Sequence, residues 1–416
     1  MERKPEAMLN RRRFIGGALA VTVSATQLAA LRGLSADAPL QETQPAEFKR
    51  KIKLGLIGCG KRGSWIAKLF KQHGGYEVHA LADYFPEAGD KCGDALGVDK
   101  ARRFSGLSGY RRVIESGAEA VALETPPYFF PEHARAAVEA GLHVYMAKPV
   151  AVDVPGSLQI KAAGRLATQQ RRCLLVDYQM PTDPSNQEVR RRIQAEGLGK
   201  LAQVLTLGIS HGFEDPPRTT ATIESRLQRL VWVNDVALGC DYIGNNDIHA
   251  IDAALWVIGQ RPVAAMGASR ICRQEPHGDS RDVCSVVYEY ADGLVHNHFG
   301  QGLPNQSQEE LSCRIHGQKG HALLNYLGKA QLRSFDDAYT DDVPNLYEAG
   351  VVRNIAAFYL NVTEGHFENE TVRRAVDGAL TCILGREAAA RRSRLTMDDL
   401  LKANKRLEVD LIGLKI

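Results

Sequence analysis

Gly58, Gly60 and Gly63 stand at G-x-G-x-x-G spacing, with Cys59, Lys61 and Arg62 between them, directly after the apolar run Ile52 to Ile57. The run reads as a buried parallel strand. Trp65, Ile66, Leu69 and Phe70 then recur at helical spacing until His73-Gly74-Gly75 stops the pattern. A strand that breaks into such a turn and opens a helix offers backbone N–H groups and the positive helix end to an anion. Gly58 permits the tight turn, Gly60 lets a pyrophosphate approach the backbone, and Gly63 lets the helix pack closely. A second apolar strand, Glu77 to Ala82, ends on Asp83, 20 residues after Gly63. A carboxylate at that distance is placed for the ribose hydroxyls of a dinucleotide. Asp83 repels a 2′-phosphate and favours NAD, whereas Lys61 and Arg62 would attract one and keep NADP open.

The elements that must hold this turn follow in an α/β rhythm. Helical patterns at Pro86 to Leu96 and Leu107 to Ser116 precede a strand at Ala120 to Leu123. Glu124-Thr125-Pro126-Pro127 then turns the chain at the carboxyl end of that strand, where open parallel sheets place ligands. Thr125 and Pro126 are therefore expected beside the dinucleotide. A helix from Pro131 to Ala140, a strand from Leu142 to Met146, a helix from Val154 to Ala167 and a strand from Cys173 to Tyr178 complete a doubly wound parallel sheet.

From about Gly197 the text changes to longer alternating strands: 201–210, 263–273, 282–290, 294–302, 309–316 and 321–326. Asp292-Gly293 is a hairpin signal, and sequential hairpins predict an antiparallel sheet. A helix at Asn246 to Val257 supplies one covered face, and the helical tails Val351 to Tyr359 and Val372 to Ala390 are expected to return and brace the first domain. The fold class is α/β, a Rossmann doubly wound sheet, plus an α+β domain with a large, mainly antiparallel open-faced sheet. The expected divisions are a leader over 1–38, a linker over 39–50, the dinucleotide domain over 51–180, the α+β domain over 181–345 and C-terminal helices over 346–416 that return to the core.

At 416 residues, 44% hydrophobic and 24% charged, the chain is long enough for two domains with separate cores. A net charge of +3 leaves no basic face for nucleic acid. The eight cysteines have neither C-x-x-C pairs nor zinc spacing, so they read as core residues and no metal is expected. Asn10-Arg11-Arg12-Arg13-Phe14 precedes a moderately apolar run and Ala36-Asp37-Ala38. This resembles a twin-arginine export signal with an A-x-A cleavage site, predicting a periplasmic or otherwise exported protein. The run is too short and polar to span a bilayer, so no stable membrane insertion of the mature chain is expected.

The glycine turn, Thr125-Pro126-Pro127, Pro131-Glu132-His133, Ala140-Gly141-Leu142-His143-Val144, Lys148-Pro149, His249-Ala250-Ile251-Asp252 and Trp256 together resemble one family. It is the glucose-fructose oxidoreductase / inositol dehydrogenase / rhizopine catabolism (Gfo/Idh/MocA) family, and the likeness runs from about Lys51 to the C-terminus. The resemblance implies an NAD- or NADP-dependent oxidoreductase of sugars or cyclitols, assembled as a homo-oligomer through the open-faced sheet. It implies a lysine near the nicotinamide, here Lys148, and a histidine that exchanges the proton, here His249. Two positions depart from the family pattern. Ala147 replaces the glutamate of E-K-P, and Asn245 stands where D-x-x-x-H has its aspartate.

Oxidising an alcohol requires a base within about 2.6 to 3.2 Å of the hydroxyl. His249 suits that task, and Lys148 suits the developing negative charge. Tyr178, Gln179, Trp232, Asn234, Asp235, Asn245, Asn246 and Asp252 are the residues expected to meet sugar hydroxyls, Trp232 by stacking on a ring face. Three functions fit this text: an exported dehydrogenase with retained cofactor, a redox-neutral glycosidase using the same pair, and a sugar-binding protein without turnover.

Overall fold

The computed structural model describes residue 48, residues 50–216 and residues 222–416; the leader and its cleavage site lie outside the described residues. The first sheet is built from β1 (Ile52–Ile57), β2 (Tyr76–Asp83), β3 (Arg103–Ser105), β4 (Ala120–Leu123), β5 (His143–Met146) and β6 (Leu174–Val176). All six run parallel in the order β3-β2-β1-β4-β5-β6. The order reverses between β1 and β4, so their carboxyl ends flank the crevice where such sheets bind ligands.

The connecting helices are α1 (Lys61–His73), α2 (Pro86–Leu96), α3 (Gly109–Glu115), α4 (Phe130–Glu139) and α5 (Val154–Gln169). They form where apolar residues recur at three- and four-residue spacing. In α1, for example, Ile66, Ala67, Leu69 and Phe70 are buried, and Gly74 at φ +84° ends the helix. With both faces covered, β1 and β4 are almost wholly buried, as a parallel sheet requires.

The second sheet has nine strands: β7 (Leu201–Ser210), β8 (Ala264–Arg270), β9 (Val283–Glu289), β10 (Val295–Gly302), β11 (Glu310–Gly317), β12 (Gly320–Asn325), β13 (Gly328–Ser334), β14 (Ala338–Val343) and the short β15 (Leu395–Thr396). Their order is β14-β13-β12-β11-β7-β10-β9-β8-β15. Contrary to a simple run of hairpins, β7 lies between β10 and β11, parallel to the first and antiparallel to the second. The physical reason is topological. Two successive strands that run in opposite directions leave an inserted third strand parallel to one of them.

Several elements go beyond the sequence reading. β14 is a polar edge strand and β13 its half-exposed neighbour, both with weak alternation. Helix α6 (Pro184–Gln194) is capped by Asp183, whose carboxylate accepts from the Asn186 N–H at 3.0 Å, but its Arg-rich text buries only Val189 and Ile193 among apolar residues.

Helices α7 (Ile248–Ile258), α8 (Leu346–Glu364), α9 (Glu370–Arg391) and α10 (Met397–Ala403) complete the chain. α9 packs against β6 of the first sheet, against β8 and β9 of the second, and against α5 and α7. α8 packs on α1, where Val351, Ile355 and Phe358 join Ile66, Phe70 and Tyr145 in a buried cluster. The two sheets thus share helices, which fixes α7 over the carboxyl ends of the parallel strands. No helix among the described residues is long and apolar enough to cross a membrane.

Candidate active site

The glycine turn is closed toward the protein and open outward. Gly58 has φ +101°, and a Cβ on it would lie 2.6 Å from the Glu124 backbone; a Cβ on Gly63 would lie 1.9 Å from the Gly58 carbonyl oxygen. At Gly60 a Cβ would meet nothing within 4 Å. α1 starts there without a side-chain cap and without an acid in its first turn, leaving first-turn N–H groups available to an anion. Asp83 closes the rim, its Oδ2 accepting from the Cys59 N–H at 2.7 Å and its Oδ1 from the Phe85 N–H at 2.9 Å. The cradle fits a dinucleotide phosphate, with the carboxylate at the ribose position. Thr125 Oγ1 lies 3.5 Å from His133 Nδ1 in α4, and Lys61 is exposed.

Gly63→Ala is expected to weaken NAD binding strongly. Overpacking costs about 1–3 kcal/mol, and each 1.4 kcal/mol is about tenfold in affinity, so Kd should rise about five- to hundred-fold. Calorimetric titration of the variant against the parent reads this directly; an unchanged Kd would remove the turn from the site.

Arg62 does not point where a 2′-phosphate would sit. Its guanidinium turns inward, 3.1 Å from Glu124 Oε2 and 2.7 Å from Asp177 Oδ2, and donates to the Tyr347 hydroxyl at 2.9 Å. The stacked rings of Trp65 and Tyr347 lie under it. Arg62 is therefore held by the two carboxylates, which corrects the expectation that it would attract a 2′-phosphate. Glu124 follows β4 with its side chain buried; burial raises its carboxyl to about 7 against the pull of Arg62.

Lys148 leaves β5 at the same level, and its bond to Pro149 is cis. Its ammonium donates to the main-chain carbonyl of Asn245, four positions before His249. Burial, helped by the positive charge of Arg62, lowers Lys148 to about 7, with Asp177 and Glu124 pulling the other way. His249, buried on the first turn of α7, is held well below the ordinary imidazole range by burial and by the charges of Lys148 and Arg62. At neutral pH its ring is an uncharged base.

The surroundings of His249 are aromatic and tightly bonded. Tyr326 lies 5.0 Å away and Tyr178 6.5 Å away, ring centre to ring centre. Gln179 is buried, donating to the Asp177 carbonyl at 3.2 Å and accepting from the Tyr326 hydroxyl at 3.1 Å. Asp252 pairs with Arg374 of α9 at 2.8 Å, and that guanidinium also covers the Tyr178 ring. The Tyr178 hydroxyl faces Gly378 on α9. Tyr178, Gln179, Asn245 and Asp252 are thus gathered around His249; Gln179 spends both amide atoms and the Tyr178 hydroxyl faces the core, whereas Asp252 gives Oδ1 to Arg374 and keeps its buried Oδ2 without a partner.

Asn246 and Asp247 precede α7, and Asp247 anchors it. His298 Nε2 donates to Asp247 Oδ2 at 3.0 Å, Thr206 lies 3.0 Å from the other ring nitrogen, and the Asn246 amide donates to Asp247 Oδ1 at 3.1 Å. Gly208 and Gly300, paired in register on β7 and β10, make the slot: a Cβ on either would lie 2.2 or 2.1 Å from the carboxylate. Cys284 completes a buried trio whose heteroatoms lie within 4.8 Å of one another. His298 has no motif around it, so only the tertiary pairing reveals this anchor.

Asn234 and Asp235 do not face the cleft. Asn234 bonds the Glu214 carbonyl at 2.7 Å and the Tyr242 hydroxyl at 2.9 Å, and Asp235 pairs with Arg226. Trp232 lies half-buried on the turn Val231–Asn234, and the following Val236–Gly239 packs against Pro127–Phe129.

Residues 52–178 match the description "Oxidoreductase family, NAD-binding Rossmann fold", and residues 186–323 match "GFO/IDH/MocA C-terminal domain". The chain belongs to the Gfo/Idh/MocA oxidoreductase family. Its first domain is an NAD-binding Rossmann domain. Among curated relatives of this Gfo/Idh/MocA protein, inositol 2-dehydrogenase of Rhizobium meliloti (strain 1021) is 23% identical over 278 residues, covering 65% of this chain and 74% of that one. Levoglucosan dehydrogenase of Pseudarthrobacter phenanthrenivorans is 22% identical over 308 residues, covering 68% and 76%. An inositol dehydrogenase homolog from Azotobacter vinelandii, solved with NADH and myo-inositol, superposes with a TM-score of 0.68 at 18% identity over 84% of this chain and 98% of that one. The aldose-aldose oxidoreductase from Caulobacter crescentus, solved with glycerol, gives 0.67 at 19% identity over 83% and 100%. At these identities the solved structures establish the fold.

Proposed function

We propose that the protein is an exported oxidoreductase that oxidises a sugar or cyclitol hydroxyl, or reduces the matching carbonyl, with a retained NAD. The observation that carries this reading is the hydrogen bond from Lys148 to the Asn245 carbonyl, which joins the lysine after β5 to the turn that delivers His249. The names of the curated relatives, inositol and levoglucosan dehydrogenases, support a polyol class.

Gly58 to Gly63 and the first turn of α1 would hold the pyrophosphate, and Asp83 the ribose. Bound NAD supplies the two-electron acceptor. His249, neutral in its buried setting, accepts the hydroxyl proton. Lys148, when charged, donates to the same oxygen and holds its developing negative charge. The burial of His249 and the partial burial of Lys148 limit water and strengthen these interactions.

The twin-arginine pattern supports export, and an exported dinucleotide enzyme must keep its cofactor, because it has no cytoplasmic pool for exchange. Mass spectrometry of protein purified from the periplasm is expected to find one NAD per chain. Cytoplasmic retention, or NAD-free protein, would overturn this part. Glycoside cleavage without net reduction of nicotinamide would replace the dehydrogenase reading by the redox-neutral one. The uncovered face of the second sheet carries the exposed side chains Met266, Val295 and Phe299, which supports association between copies.

Asp83→Ala is expected to raise the ratio of kcat/KM with NADP to that with NAD by about tenfold, equivalent to about 1.4 kcal/mol, because it removes the charge that repels a 2′-phosphate. Steady-state rates with both cofactors check this, and an unchanged ratio would take Asp83 away from the ribose.

A further inference from the structure

We propose that Glu124 is the positioning carboxylate of Lys148, filling the role that the apolar residue at 147 leaves vacant. The inference rests on the reading of Lys148 given above.

Ala147 is buried in the hydrophobic core and cannot balance the neighbouring ammonium. Glu124 and Lys148 leave the ends of neighbouring strands, β4 and β5, which are paired in register at Leu123 and Met146; Arg62 of α1, Asp177 after β6, His249 of α7 and Cys382 of α9 are the other titratable groups that interact with the lysine. Arg62 bridges the two carboxylates, 3.1 Å from Glu124 and 2.7 Å from Asp177. When all four are charged, two cations and two carboxylates sum to zero, and Glu124 and Lys148, both brought to about 7 by burial, change charge over the same range. The carboxylates differ in what they have left to offer. Asp177 gives Oδ2 to Arg62 and Oδ1 to the Asn354 amide at 2.7 Å. Glu124 gives Oε2 to Arg62, while its buried Oε1 has no hydrogen-bond partner. An ammonium has three donors, and one is spent on the Asn245 carbonyl. A buried acceptor without a donor therefore leaves the strand next to that of a half-buried cation with donors to spare, and bringing the two together relieves both.

The sign of the effect follows. Glu124 stabilises the charged form of Lys148, so removing its charge lowers the apparent pKa of the lysine. The test is NMR of the NAD-loaded protein with 13C-labelled lysine, following the Cε shift of Lys148 with pH and assigning it by its loss in Lys148→Arg. In Glu124→Gln the midpoint is expected to fall by about one unit or more. Adding Ala147→Glu to that variant is expected to bring it back up. If Glu124→Gln does not fold, Glu124→Asp keeps the charge but withdraws it by one methylene, and a smaller fall is expected. A folded Glu124 variant whose Lys148 midpoint matches the parent overturns the proposal, even if thermal stability drops, because that pattern is structural only. Failure of the underlying reading is separate: it would appear as parental turnover in Lys148→Ala, whatever Glu124 does to the titration.

Discussion

His249→Ala is expected to lower kcat by about a hundred- to ten-thousand-fold, the range for removal of a positioned acid or base, with NAD affinity within about twofold of the parent. The second half of that expectation follows from geometry. The phosphate cradle is made by Gly58 to Gly63 and Asp83, whereas His249 belongs to α7 and packs against Tyr326 and Tyr178. The fold should tolerate the change, since α7 is held by the bond from His298 to Asp247 and by Arg374 on Asp252. Burial and the nearby cations keep the imidazole neutral at neutral pH. As pH falls through its depressed value the ring takes up a proton and can no longer accept one. The acid limb of kcat/KM for oxidation should therefore lie below the usual histidine range and vanish in His249→Ala. Stopped-flow and steady-state rates across pH measure this; a variant within a few-fold of the parent, or one that keeps the acid limb, contradicts the assignment.

Lys148→Ala is expected to cost a similar factor, about a hundred- to ten-thousand-fold in kcat, for a different reason. The lysine is asked to hold negative charge on the reacting oxygen, so its charged form is needed. Held at about 7, it is charged below that pH and neutral above it. Oxidation should therefore lose efficiency as pH rises through about 7, giving a bell whose alkaline side belongs to Lys148. Lys148→Arg keeps a permanent charge, so whatever activity it retains should lack that alkaline limb. An alkaline limb unchanged in Lys148→Arg would assign it to another group.

Much of the fold was legible because the first domain obeys short-range rules. Apolar runs bounded by glycine and proline became β1, β2, β4 and β5, and the glycine turn opened α1 as its spacing predicts. The edges of the second sheet were not legible. β13 and β14 are half-exposed, so their text carries little alternation. The central position of β7 depends on pairing between residues far apart in sequence, such as Gly208 with Gly300, and no local pattern encodes it.

The site shows the same division. Spacing and family likeness singled out Lys148 and His249, and the fold brings both to one cleft. It could not reveal that Arg62 folds inward onto Glu124 and Asp177, because nothing local distinguishes a solvated loop arginine from a buried one. Nor could it separate Asn234 and Asp235, consumed by Tyr242 and Arg226, from residues free to meet a sugar. Polar side chains advertise hydrogen-bonding capacity in sequence; only packing shows where that capacity is spent.

The central claim is that Lys148 and His249 together move the proton that accompanies oxidation of a polyol by bound NAD. Its most direct test is a single-turnover stopped-flow experiment on the NAD-loaded protein, mixed with myo-inositol, levoglucosan and a panel of related sugars, following reduced-nicotinamide absorbance. The account predicts a rapid rise with at least one polyol, and loss of that rise in the NAD-loaded Lys148→Ala/His249→Ala double variant. An equal rise in the double variant, or none from the parent with any polyol, would contradict it.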